Sequence, residues 1–186
     1  MKELKDNSMH RKEYIDVILD DISDKFDIYH NYWFDNRRCV IYAYHYGSAD
    51  RYDSTSDAKL ADLKEYEHLF FVNCDNLTYE AYEDLYNFAV DKLEPHFVRG
   101  DNKLPGSNHM YSYISFIIIS KHKPGMDVTK AIEQCNYQKK YAFGMRGFCK
   151  LRFACVTPSE RDVICNKSAI KLGDFLRQHF DNNASK

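Results

Sequence analysis

The sequence predicts an α/β (or α+β) fold, a single mixed β-sheet of about six strands with about four helices on both faces. Three observations carry this. Residues 110–119, Met-Tyr-Ser-Tyr-Ile-Ser-Phe-Ile-Ile-Ile, are the most apolar run of the chain, bracketed by Pro105-Gly106 and Pro124-Gly125. Their length and their β-branched and aromatic content read as a strand, and Ile117, Ile118 and Ile119 make it apolar on both faces, as a central strand between helical layers must be. Strand-like stretches alternate along the chain with segments of helical apolar spacing. Finally, 44% hydrophobic and 29% charged residues are the proportions of a globular protein, not of a disordered or membrane one. A length of 186 residues suits one domain, with a core over about 8–180 and a tail over 181–186.

In chain order, residues 8–27 place Ile15, Ile18, Leu19, Ile22 and Phe26 on one face of an amphipathic helix. Residues 29–34 and 39–46 read as two strands joined as a hairpin through Asp35-Asn36-Arg37-Arg38. The polar stretch 47–62 follows, and a connection of that length is either functional or mobile. Strand character returns over 65–74. Thr78 caps a helix burying Tyr82, Leu85, Tyr86, Ala89 and Leu93, which Glu94-Pro95 ends. After the central strand, Asp127 caps a helix to about Gln138 or beyond that carries Val128, Ala131, Ile132 and Cys135. Alternation over 149–155 sets Cys149, Leu151, Phe153 and Cys155 on one face and Lys150, Arg152 and Ala154 on the other, a strand with one basic face. Residues 157–161 turn it into a short partner strand over 162–165. Asn166 or Ser168 then caps a last helix burying Ala169, Leu172, Leu176 and Phe180.

Composition narrows the function classes. No apolar run reaches the roughly 18 residues of a spanning helix, and the charged start of the chain lacks a signal-peptide core. A cytoplasmic location without a membrane partner is therefore expected. The six cysteines form no CxxC, and four fall inside apolar patterns, so they read as structural thiols rather than disulfides or zinc ligands. With 15 Tyr and 12 Phe against one Trp, many rings must find hydroxyl partners at the core boundary or in a cleft.

Charge is divided unevenly. Residues 1–100 carry 12 basic and 21 acidic residues, a net of -9, and the remainder carries 14 and 7, a net of +7. An overall charge of -2 gives no reason to expect nucleic-acid binding. Between Lys121 and Arg152 there are eight basic residues against Asp127 and Glu133 alone. Arg146, Lys150 and Arg152, with Lys139 and Lys140, are the candidate binders of a phosphate or carboxylate ligand; the alternative is that this face pairs with the acidic first helix.

Two resemblances add to this reading. His109-Met110, Lys140-Tyr141-x-Phe143, Gly147 with Leu151-Arg152, and Val163-x-x-Asn166 resemble a family of uncharacterised bacterial proteins, a domain of unknown function. That resemblance implies no activity and directs attention to His109 and Arg152. The element order α-β-β-β-α-β over about 8–120 resembles the restriction-endonuclease-like core. There the second and third strands present an acid and a Glu-x-Lys pair to a divalent metal, which implies Asp50, Asp53 and Glu65 as ligands of magnesium or manganese, with Glu65 and Glu67 as catalytic groups; His109, at the entrance of the central strand, is a further catalytic candidate as a proton carrier. The third strand here reads Lys64-Glu65-Tyr66-Glu67, however, so the lysine is missing. Zinc-protease, P-loop, EF-hand and Gly-x-Ser-x-Gly patterns are absent.

The leading expectation is a non-enzymatic or small anionic ligand-binding protein in which loop 47–62, His109 and residues 146–152 border one cleft. The alternatives are a nuclease-like enzyme with a degenerate site, and a homodimer or larger assembly that uses the Tyr-rich strand 39–46 as an exposed edge.

Overall fold

A computed structural model describes residues 10–49 and 63–180. Seven strands form one open mixed sheet: β1 (Asp27–Phe34), β2 (Arg37–Ala49), β3 (Leu63–Cys74), β4 (His109–Ser120), β5 (Gln138–Lys140), β6 (Phe148–Thr157) and β7 (Asp162–Cys165). Their order is β1-β2-β3-β4-β6-β5, and β7 pairs with β6 beyond β5. β1, β2 and β3 are antiparallel, while β3, β4 and β6 run parallel. The expected central strand is thus β4, flanked on both sides, with residues 114–120 all buried.

Four α-helices cover the sheet: α1 (Arg11–Ile22), α2 (Tyr79–Phe88), α3 (Met126–Gln134) and α4 (Ile170–Gln178). On the first face, α2, its continuation and α3 bury Tyr82, Leu85, Leu93, Val128 and Ile132 against Phe70, Ile114, Phe116, Ile118, Leu151 and Phe153. On the second face, α1 and α4 bury Ile15, Ile18, Leu19 and Leu176 against Phe71, Ile117, Ile119, Ala154 and Val156. The Tyr14 hydroxyl donates to the Leu176 carbonyl at 2.8 Å and ties these two helices together. Among the described residues no helix is long and apolar enough to cross a membrane.

Several elements depart from expectation for identifiable reasons. Asp35 and Asn36 both have positive φ, 47° and 61°, so the hairpin closes in two residues and β2 starts at Arg37. The Tyr-rich strand 39–46 is not an exposed edge: β2 is paired with β1 on one side and β3 on the other, and β1 is the edge. Thr78 caps α2 as expected, its Oγ1 accepting from Ala81 N at 3.2 Å. Glu94-Pro95 does not stop the helix, because the chain widens into π-helical turns over Ala89–Val98 that hold Pro95 inside them. The wider spiral moves the carbonyl that a proline ring strikes in an α-helix. α3 is capped at Gly125 and ends at Gln134, and residues expected to prolong it form β5. Ala154 belongs with the second core and not to a solvated basic face. The stretch 47–62 yields its first three residues to β2; Asp50, Asp53 and Asp57 lie outside the described residues, as does the tail 181–186.

The turn between β5 and β6 is locked onto the amino end of β4. Gly147 has φ +71°, and a Cβ there would sit 1.9 Å from the Met110 carbonyl oxygen, whereas Gly144, at φ +94°, has nothing within 4 Å. Gly147→Ala is expected to cost about 3 kcal/mol or more in urea unfolding, through steric conflict added to backbone strain, against about 1 kcal/mol for Gly144→Ala.

Candidate functional site

Strand alternation places five rows of side chains across the second face, and the pairing registers align them. Gly47, Glu65, Tyr111 and Phe148 form the first row, His45, Glu67, Tyr113 and Lys150 the second, and Ala43, Leu69, Ser115 and Arg152 the third. The fourth, Ile41, Phe71, Ile117 and Ala154, is buried throughout, as are Ile119 and Val156 of the fifth. Helices α1 and α4 therefore cover only the carboxyl half of the parallel strands. Among the described residues the amino half remains a half-exposed shelf of two carboxylates, two cations and three aromatic rings.

Contacts within the shelf are specific. The Tyr111 hydroxyl donates to Glu65 Oε2; partial burial first, and the Glu65 carboxylate second, hold that phenol above its ordinary range. Tyr111 packs against Tyr113 and Phe148, with centroids 4.9 and 5.8 Å apart. The Arg152 guanidinium carbon lies 3.3 Å from the centroid of Tyr113, and Lys150 Nζ lies 5.2 Å from that of Phe148, so both cations rest on aromatic faces. A single long contact, 3.5 Å, joins Arg152 Nη1 to Glu67 Oε1. Arg152 Nε is buried without a hydrogen-bond partner, and so is the Oγ of Ser115, its neighbour across the β4–β6 register. His45 Nδ1 is 2.6 Å from the Lys25 carbonyl oxygen. A Cβ on Gly47 would lie 3.4 Å from His45 Nε2 and 3.9 Å from Glu65 Oε2, so the glycine leaves room between those two groups.

The expected site residues separate onto different surfaces. Glu65, Glu67, Lys150 and Arg152 converge on the shelf. His109 does not join them: it lies among first-face groups, its Nδ1 2.8 Å from the Arg146 carbonyl oxygen and its Nε2 2.8 Å from Ser112 Oγ, stacked on Tyr66. Burial lowers its pKa, and the Arg146 carbonyl works partly against that. Arg146 donates from Nη1 to the Pro105 carbonyl at 2.9 Å, and Lys140 is exposed on edge strand β5. Nor does the basic segment pair with the acidic first helix, because Arg152 meets Glu67 and Lys139 meets Glu94. Sequence reasoning missed His45, Tyr111, Tyr113 and Phe148. For Tyr111 and Tyr113 the signal was the odd-numbered alternation of β4, which puts them on the face of Ser115.

Glu94 shows what a completed charge site looks like in this fold. Fully buried, its carboxylate accepts from Arg99 Nε at 2.9 Å and Nη2 at 3.2 Å, from Lys139 Nζ at 2.9 Å and from the Tyr141 hydroxyl at 2.5 Å. Burial alone would raise its pKa, yet these donors outweigh it and hold the carboxyl below its usual value. Among the described residues no group of three or more His, Cys, Asp or Glu could hold a metal ion. All six cysteines are unpaired thiols.

Residues 10–178 match a family described as Domain of unknown function (DUF8052). No curated protein and no solved structure matches the chain.

Two stability predictions follow from the buried groups. Glu94→Gln strands Arg99 and Lys139 beside a neutral amide and is expected to lower unfolding free energy by about 3 kcal/mol in chemical denaturation. Burial pulls His68 down to about 3, with its Nδ1 2.9 Å from the Tyr42 hydroxyl. A depressed folded pKa means the unfolded chain takes the proton first, so stability is present above about pH 6.5 and falls by up to about 1.4 kcal/mol per pH unit below it. Urea titrations at pH 7, 6 and 5 should show that slope, and His68→Phe should reduce it.

Proposed function

We propose that this chain, which belongs to the DUF8052 family, is a cytoplasmic, non-enzymatic protein that binds a small anionic ligand on the open shelf of its second sheet face. The observation that carries this reading is the state of Arg152. A guanidinium has five N–H donors, yet here the head lies flat on Tyr113 with one long contact to Glu67 and a buried, unpartnered Nε. Buried donors are nearly always paired, so unused hydrogen bonds beside an equally unpartnered Ser115 Oγ mark a position that a ligand oxygen can occupy. Lys150 supplies a second charge from the adjoining row. Tyr111, Tyr113 and Phe148 supply an apolar bed that keeps both cations partly dehydrated, which strengthens their attraction for a carboxylate or phosphate.

The position on the sheet also bears on the chemistry. Doubly wound sheets bind phosphates at the carboxyl ends of their strands, where helix N-termini donate. This shelf lies at the amino ends of β3, β4 and β6, so anion recognition falls to side chains. Unpaired thiols support a reducing compartment such as the cytoplasm.

A second reading takes Glu65 and Glu67 as ligands of magnesium or manganese, with Asp50 or Asp53, in a nuclease-like enzyme. Its support is that both glutamates face the same side of β3 in adjacent rows. Against it, Tyr111 and Arg152 already engage the two carboxylates, and the proposed base His109 is on the other face.

Isothermal titration with inorganic phosphate, pyrophosphate and citrate tests the first reading. Arg152→Gln is expected to weaken binding about 30-fold or more and Lys150→Gln about fivefold, with circular dichroism unchanged. Binding unaffected by both substitutions would sink it. Heat on titrating magnesium or manganese that Glu67→Gln abolishes would favour the metal reading.

A further inference from the structure

The most exposed apolar side chains of the described residues are gathered in one turn. Between β5 and β6, Phe143 is fully exposed and Met145 is 79% exposed. The turn is closed by backbone hydrogen bonds: Tyr141 N donates to Gly147 O, Gly144 and Arg146 N to Tyr141 O, Met145 N to Ala142 O, and Gly147 N to Gly144 O, all between 2.9 and 3.2 Å. Ala142 and Phe143 both sit at positive φ, 46° and 56°, where side chains other than glycine are strained. A turn that holds phenylalanine in a left-handed conformation, and so points it into water, gains nothing for the core. Gly147, pinned against Met110, fixes the base of this knob to the sheet.

Along the chain its charged neighbours have one sign. From residue 134 to residue 159 the sequence contains no Asp or Glu and five cations. Lys140 is exposed at the base of the knob, opposite Phe148 in the β5–β6 register. The partners of Arg146 and Lys150, a carbonyl and an aromatic ring, leave their charges uncompensated. Of the other two, Lys139 is neutralised by Glu94 and Arg152 faces Glu67.

We infer that turn 141–147 is a peripheral docking point for an anionic phospholipid surface, with Phe143 and Met145 entering the headgroup–acyl boundary and Lys140 and Arg146 meeting lipid phosphates and carboxylates. An exposed apolar turn flanked by cations matches a soft anionic surface that closes around it, whereas a protein partner would have to supply a preformed acidic socket. The absence of a spanning run bears on insertion across a bilayer and leaves a peripheral contact open. Two apolar side chains give a weak, reversible attachment, no tighter than that of a single acyl chain, on the order of 10⁴ M⁻¹.

Co-sedimentation of the full chain with vesicles tests this, comparing phosphatidylcholine alone with phosphatidylcholine containing roughly one third phosphatidylserine. Binding is expected to the anionic vesicles only, and to be lost at about 0.5 M salt, where the Debye length is only a few ångströms. Phe143→Ser should lower partitioning about tenfold, and Lys140→Glu about fivefold or more, each with an unchanged melting temperature because neither side chain is buried. The proposal is overturned if the chain ignores both vesicle types, or if Phe143→Ser binds as well as the parent. It is equally overturned if soluble polyglutamate binds in a Phe143-dependent way while vesicles do not, which would assign the knob to an acidic protein.

Discussion

Everything in this fold depends on β4 being held between two parallel neighbours. β3 and β6 both run in its direction, and their registers keep chemically matched residues in rows across three strands. In the carboxyl half of β4 both faces are apolar, so helices must cover both sides to remove Phe116, Ile117, Ile118 and Ile119 from water. In its amino half Tyr111 and Tyr113 replace isoleucine on the second face, the apolar demand for cover ends, and so does the helical cover among the described residues. Among the described residues, the shelf is the remainder of a sheet face whose helical layer covers only the part that must be dry.

Two charged centres in this protein follow the same chemistry to opposite ends. Glu94 is wholly buried and saturated, with donors from the π-helix region, β5 and the turn beyond it. It joins segments distant in sequence and leaves no capacity for a ligand. Arg152 is held flat by aromatic stacking, meets its acid at a single long distance, and keeps donors unused. A buried ionic group earns its place either by complete pairing or by waiting for a partner, and saturation of the hydrogen-bonding groups separates the two. By that criterion Lys139 belongs to the architecture and Arg152 to the candidate site. The division of charge between the two halves of the chain is expressed through such individual pairs, not as a general attraction of an acidic helix for a basic strand.

The candidate site was partly legible. Alternation in β6 put Lys150 and Arg152 on one face, and alternation in β3 put Glu65 and Glu67 on one face, because the two-residue period of a strand is written into the sequence. That these faces are the same, with Tyr113 between them, depends on pairing register across three strands, which no local pattern encodes. His109 was misplaced for a related reason. It enters β4 beside a register shift between Lys64 and Glu65, and its proximity in sequence to the site said nothing about which face it takes. The π-helical turns through Pro95 escaped notice because a proline signals termination only where the helix keeps its α spacing.

By itself the sequence determined most of the strands and helices, which strand is central, and which residues alternate together, since those follow from short-range periodicity and from the cost of leaving apolar side chains in water; the three-residue β5 and the helical turns through Pro95 lay beyond it. Tertiary structure alone decided that β2 is interior and β1 the edge, that Glu94 absorbs Lys139, Arg99 and Tyr141, and that Glu67, Tyr113 and Arg152 meet while His109 faces away. Those outcomes rest on strand pairing and on contacts that span 47 positions between Tyr141 and Glu94 and 85 between Arg152 and Glu67. Their geometry is fixed by strand order and register, which are properties of the assembled sheet and of no single stretch of chain.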